Sequence, residues 1–87
     1  MLLAIDIGNT NITIGTFDVK GLANTWRVST NHARTSDEYA MQIVQILHSE
    51  DIDISKISST CICSVVPPLT PTFVDICEKY LKTDPIV

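Results

Sequence analysis

Residues Leu2 to Ile14, LLAIDIGNTNITI, constrain the fold of this chain more than any other stretch. An apolar run, Leu2-Leu3-Ala4-Ile5, leads into Asp6. A polar segment, Gly8-Asn9-Thr10-Asn11, follows, and a second apolar run leaves through Ile12 and Ile14. Two strand-like runs joined by Gly-Asn chemistry read as a β-hairpin. The first run is apolar at consecutive positions, which predicts a central strand covered on both faces. Gly8, lacking a Cβ, can take φ > 0 and bring the backbone close to a ligand. Successive N–H groups in such a turn form a concave anion site suited to phosphate. Asp6, at the strand end, would repel bare phosphate, so its natural partner is Mg²⁺ held partly through water. The combination points to a metal–nucleotide complex. There is no Gly-Lys-Ser/Thr and no helix directly after the loop, so this is neither a Walker P-loop nor a dinucleotide fingerprint.

Eighty-seven residues make at most one domain. A chain of this size buries roughly 60–65% of its unfolded surface, enough for one modest core. Apolar residues make up 45%, against 3 Gly and 4 Pro, so disorder is not expected. The net charge of −4, without a Lys/Arg cluster, argues against nucleic acid as the main partner. No run approaches the ~20 apolar residues of a membrane span. The N-terminus lacks the marks of a signal peptide, which gives a cytoplasmic expectation. Asp84-Pro85-Ile86-Val87 reads as a turn and the first residues of a strand, and suggests an N-terminal piece of a longer protein.

Further along, Asp18-Val19-Lys20-Gly21 reads as a turn in which Gly21 supplies φ > 0. Leu22, Asn24, Trp26 and Val28 then alternate with Ala23, Thr25, Arg27 and Ser29, the pattern of a half-buried edge strand. Trp26 is expected to pack against a covering helix. Thr35-Ser36-Asp37-Glu38 fits a capping box. Tyr39, Ala40, Ile43, Ile46 and Leu47 predict an amphipathic helix from about Ser36 to His48. Arg34 precedes the positive end of that helix, and His48 lies at its negative end. Neither His48 nor the loop residue His32 suggests catalysis. Residues 50 to 59 read as a connector. Thr60 to Val66 reads as a buried strand parallel to the first, stopped by Pro67-Pro68. Thr70 is the expected cap of a second helix, with Pro71 at its first position. Phe73, Ile76, Cys77, Tyr80 and Leu81 form its apolar stripe, with Lys79 and Lys82 in its last turn.

The order strand, strand, strand, helix, strand, helix, started strand predicts an α/β fold with a mixed sheet. Ligands in such sheets collect at the carboxyl ends of parallel strands. Asp6 to Asn11 and Ser64 to Pro68 both lie there, with Ser64 the weaker candidate because such a serine commonly bonds local backbone. Cys61, Cys63 and Cys77 lack paired zinc-ligand spacing, and reduced buried Cys is an ordinary core residue.

Three segments share one further property. Asp6-Ile7-Gly8-Asn9-Thr10-Asn11 after an apolar strand, then Arg34-Thr35-Ser36-Asp37-Glu38, then Ser64-Val65-Val66-Pro67, in this order and spacing, closely resemble the N-terminal part of type III pantothenate kinases. That family belongs to the superfamily of acetate and sugar kinases, heat-shock ATPases and actin. The resemblance covers essentially the whole chain. It implies a ribonuclease H-like, actin-like ATPase domain over residues 1–87, incomplete, with the second half of the kinase absent. It implies ATP-dependent phosphorylation of pantothenate, the first step of coenzyme A synthesis, in a homodimer that uses Mg²⁺ and a monovalent cation, K⁺ or NH₄⁺. The segment Asp6, Ile7, Gly8, Asn9, Thr10, Asn11, Ile12 and Thr13 would cradle the ATP phosphates, with Asp6 near the metal through water. The family's Gly-x-Asp-Arg motif, which carries the base acting on the pantothenate hydroxyl, lies further along and is not in these residues, nor are the substrate-contacting tyrosine and the monovalent-cation ligand. No catalytic residue is therefore assigned within this chain, and the fragment alone is expected to be inactive. Another kinase or ATPase of the superfamily, or a non-enzymatic accessory protein on the same fold, are the competing readings. Neither nucleic acid nor membrane is an expected partner.

Overall fold

Alternation along the first strand sets the architecture. The computed structural model describes residues 1–87, and β1 (Leu2–Ile7) sends Leu3, Ile5 and Ile7 into the core, each at most 1% exposed. β2 (Asn11–Asp18) runs antiparallel to it, with Ile5 opposite Ile14 and Ile7 opposite Ile12. β3 (Gly21–Ser29) continues the meander as the sheet edge, as expected. The turn before it holds Gly21 at φ 111°, and the Lys20 N–H donates to the Asp18 carboxylate at 2.8 Å.

A fourth strand, β4 (Ser59–Ser64), lies parallel to β1 on the side away from β2, giving the order β3-β2-β1-β4. Parallel neighbours need a crossover, and α1 (Ser36–Ser49) is the long element within it. Its start has the expected capping box: the Thr35 hydroxyl accepts from the Glu38 N–H at 3.2 Å, and the Glu38 carboxylate accepts from the Thr35 N–H at 2.9 Å. After β4, Pro67–Leu69 form a 3₁₀ turn and α2 runs Thr70–Lys79. The proline pair thus ends the strand two residues earlier than Val66, and the 3₁₀ turn places Thr70 inside the helix. Thr70 is not the cap: Leu69 occupies that position, in helical conformation and without a side-chain bond. Ile86 then forms a single parallel bridge with Cys61, through Ile62 N–H to Ile86 O at 2.8 Å and Ile86 N–H to Thr60 O at 3.0 Å.

Both helices pack on one face. Tyr39, Ala40, Ile43 and Leu47 of α1 and Phe73, Ile76 and Cys77 of α2 join the inward side chains of the sheet in a single core. Tyr39 and Phe73 rings meet at 4.9 Å between centroids. Trp26 and Val28, half-buried, pack against the margin of this core. The other face of the sheet is bare, which corrects the expectation that β1 is covered on both sides: Asp6 is exposed and Ala4 only half-buried there. Apolar residues at consecutive positions specified a central strand, but not the covering of its second face.

A register shift corrects a second expectation. Thr16 pairs with Asn24 but Phe17 pairs with Leu22, so β3 carries an extra residue at Ala23. Such a bulge reverses the alternation beyond it. Leu22 therefore joins Phe17 on the bare face, 59% exposed, rather than sharing a face with Asn24, Trp26 and Val28. No helix is long and apolar enough to cross a membrane.

Two consequences can be measured. The Thr16 hydroxyl is buried without a hydrogen-bond partner. Thr16→Val keeps the shape and removes the orphan group, and is expected to raise unfolding stability by about 1 kcal/mol in chemical denaturation. At the helix pair, Asp37 accepts hydrogen bonds from the Tyr80 hydroxyl and from Lys79, the latter at 3.2 Å. The Tyr80 bond first, then Lys79, hold the Asp37 carboxyl below its ordinary range, and the Asp37 bond raises the Tyr80 phenol. A depressed carboxyl contributes above its unfolded pKa and is lost as pH falls through the folded value. The raised phenol contributes below its unfolded pKa and is lost as pH rises through its folded value. Asp37→Asn is expected to return the Tyr80 phenol toward its ordinary range in an ultraviolet titration, and to lower stability near neutrality but not in strong acid.

Candidate functional site at the carboxyl ends of the parallel strands

β1 and β4 end side by side. Ile7 is in register with Ser64, and the Val65 N–H donates to the Ile7 carbonyl at 3.1 Å. The two stretches singled out by sequence, Asp6 to Asn11 and Ser64 to Pro68, are thereby brought to one end of the sheet. The first of these stretches contains the polar bend from Gly8 to Thr10 that links β1 to β2.

That bend is not closed in the ordinary way. The Gly8 N–H donates to the Asn11 carbonyl at 3.0 Å, but the Gly8 carbonyl takes the Thr30 hydroxyl at 2.7 Å instead of the Asn11 amide. The Thr30 N–H donates to the Thr10 carbonyl at 2.9 Å. The amides of Asn9 and Thr10 donate to nothing within the chain, and both residues are exposed. Two free N–H groups on a short loop are what an anion would need.

Gly8 serves this bend for a reason other than the one expected. Its φ is not positive, and Gly21 is the one glycine in that region. A Cβ at Gly8 would instead lie 2.9 Å from the Asn11 carbonyl oxygen, which is backbone and cannot swing aside. Glycine is needed for close approach across the bend, not for a left-handed turn.

Of the remaining predicted residues, Ile7 and Ile12 have side chains fully buried in the core. They can offer a ligand backbone atoms only. Asp6 and Thr13 pair across the strands on the bare face, and the register extends this row to Cys63 on one side and Arg27 on the other. Arg27 sits two strands from Asp6, on the order of 10 Å. Its alternation with Trp26 placed it on this face, but only the pairing register put it in the Asp6 row. Behind that row the bare face forms a recess of about 600 Å³, where Ala4, Gly15, Phe17, Cys61 and Ile86 replace charge with apolar surface.

The Asp6 carboxylate has no hydrogen bond or ion pair within the chain. No group of three or more His, Cys, Asp or Glu side chains converges on a common point. A divalent ion here would rest on one carboxylate together with water and ligand oxygens, a donor set that suits Mg²⁺ rather than a dedicated protein cage.

Other candidates fall outside the bend. Ser64 bonds its own backbone, accepting from the Val66 N–H at 3.1 Å and donating to the Val66 carbonyl at 3.2 Å. Arg34 donates to the Ser29 carbonyl at 3.1 Å and lies 5.7 Å from the Tyr39 ring centroid, so its reach is committed to the protein. His32 makes no side-chain hydrogen bond, and His48 occupies the last turn of α1. Cys77 is in the core, where burial pushes its thiol up, whereas Cys61 and Cys63 open onto the bare face. That last placement corrects their reading as core residues, since the strand is covered on one side only.

Comparison with known proteins gives a consistent result. The family model described as type III pantothenate kinase matches residues 2–87. A type III pantothenate kinase of Anaeromyxobacter sp. (strain K) is 44% identical over 86 residues, covering 99% of this chain and 34% of the relative. Proteins of the same name from Myxococcus xanthus and Bacillus cytotoxicus are 42% and 39% identical over 99% and 100% of the chain. The chain spans about a third of the length of the curated relatives it matches.

The placement of the thiols is directly testable. Iodoacetamide is expected to label Cys63 first, Cys61 more slowly, and Cys77 only on unfolding, as read by peptide mass spectrometry.

Proposed function

The chain belongs to the type III pantothenate kinase family, and from that premise we propose that residues 1–87 form the phosphate-binding wall of an ATP-dependent pantothenate kinase. The mixed four-strand α/β sheet agrees with the N-terminal actin-like ATPase fold of that family. The reaction is the phosphorylation of pantothenate to phosphopantothenate, the entry to coenzyme A synthesis.

One observation carries this reading: the unpartnered Asn9 and Thr10 amides beside the unpartnered Asp6 carboxylate, at the carboxyl ends of β1 and β4. Phosphoryl transfer asks the protein mainly for position and for charge stabilisation on the transferring group. The two amides would bind phosphate oxygens. The side chains of Asn9, Thr10 and Asn11 add further polar groups. Asp6 would hold Mg²⁺, largely through water, and the ion supplies charge neutralisation on the phosphates. Thr13 and Arg27 extend the same row, Arg27 as the cation in reach of a polyphosphate tail. Ile7 and Ile12 anchor the bend from below.

The reading also takes in a monovalent cation, K⁺ or NH₄⁺, a homodimer and a cytoplasmic setting. Proton removal from the pantothenate hydroxyl is assigned to the family's Gly-x-Asp-Arg aspartate, outside the matched residues. A soluble metabolic role without nucleic acid or membrane fits the net charge of −4.

Two assays test this. In the full gene product, Asp6→Ala is expected to lower kcat/KM for ATP by on the order of 100-fold while the unfolding curve stays close to wild type. Unchanged kinetics would remove Asp6 from the site. The 87 residues alone are expected to turn over no pantothenate in an assay where the full gene product is active.

A further inference from the structure

We propose that Thr30 is the positioning residue of the phosphate loop, a latch that aims the loop amides by holding two loop carbonyls. This rests on the nucleotide reading of the bend and adds a residue that no motif marks. Thr30 stands just past the end of β3, yet it makes both of its polar contacts with the loop between β1 and β2. Its hydroxyl donates to the Gly8 carbonyl at 2.7 Å, and its N–H donates to the Thr10 carbonyl at 2.9 Å.

Peptide geometry turns these bonds into an aiming device. A trans peptide is planar, and its C=O and following N–H point in opposite directions. Tying the Gly8 carbonyl to Thr30 therefore directs the Asn9 N–H away from Thr30. Tying the Thr10 carbonyl does the same for the Asn11 N–H. Without the hydroxyl, the Gly8 carbonyl is free to take the Asn11 amide, as in a common four-residue turn. The bend would then consume an N–H group that the latch leaves available.

The latch is itself braced from the core. The Tyr39 hydroxyl accepts from the Asn31 N–H at 2.8 Å and donates to the Asn31 carbonyl at 2.7 Å. Tyr39 is 1% exposed, and its ring packs against that of Phe73 in a tilted arrangement. Arg34 holds the preceding carbonyl, that of Ser29, from above the same ring. Residues 29, 30 and 31 are thus each tied, two of them to α1 or its approach and the middle one to the loop. A rigid chain of contacts runs from the Tyr39–Phe73 pair, through Asn31 and Thr30, to Gly8.

The test compares Thr30→Val, Thr30→Ser and Tyr39→Phe in the full gene product, measuring ATP and pantothenate kinetics beside a urea unfolding curve. Thr30→Val is expected to raise the KM for ATP by about three- to tenfold, the effect of one lost hydrogen bond, and to leave the KM for pantothenate unchanged. Thr30→Ser, which keeps the hydroxyl, is expected to stay within about twofold of wild type. Tyr39→Phe, which leaves Thr30 intact and frees the Asn31 backbone, is expected to shift the KM for ATP in the same direction, and keeps the proposal testable if Thr30→Val does not fold. An ATP KM unmoved in both Thr30→Val and Tyr39→Phe, or lost equally in Thr30→Val and Thr30→Ser, overturns the latch while leaving the nucleotide reading in place. Absence of ATP-dependent turnover in wild type overturns the nucleotide reading and the latch with it.

Discussion

Leu3, Ile5 and Ile7 alternate along β1 with Ala4 and Asp6, and burying the first set commits the second. A strand has a period of two, so a carboxylate between two core residues must stand on the opposite face. Slipping β1 by one residue would put Asp6 into the core and expose the isoleucines, a cost of several kcal/mol in lost burial alone. The core therefore determines where Asp6 points. It also determines where the loop begins, because Ile7 and Ile12 are paired across the hairpin and both fully buried. What lies between them is forced out at the end of the sheet.

The same economy shapes the bend. Residues 8 to 10 contribute little to the core, so their conformation is set by hydrogen bonds rather than by packing. Thr30 provides two of those bonds from a strand end that is distant in sequence and adjacent in space. The dense packing under Tyr39 passes to the loop through polar contacts of ordinary length. On the proposed nucleotide reading, the loop gains from this arrangement, since the Asn9 amide is oriented before the ligand arrives and need not be reorganised by it.

Much of this was legible in the residues. The hairpin, the edge strand, the capping box at Thr35 and Glu38, the parallel return of β4 and the stop at Pro67 all follow from local chemistry, and each is present. The departures share one cause. Thr70 lost its capping role to the 3₁₀ turn, Leu22 changed face at a bulge, and Gly8 proved necessary for a contact with Asn11 rather than for its φ. Cys61 and Cys63, read as core, open onto a bare face. In each case the backbone or packing around the residue, which its own sequence neighbours do not specify, altered an expectation drawn from local chemistry.

Read alone, the order of residues establishes the strands, the helices and the loop that carries the Gly-Asn chemistry, because each depends on contacts within a few positions along the chain, and their order implies the mixed sheet. The row Arg27–Thr13–Asp6–Cys63 and the Thr30 latch are of another kind. They join residues from separate strands, and pairing register and a single bulge settle which of them meet. Alternation fixes the face that each side chain takes, but which residues of neighbouring strands stand opposite one another is settled by the turns and by the bulge between Thr16 and Phe17.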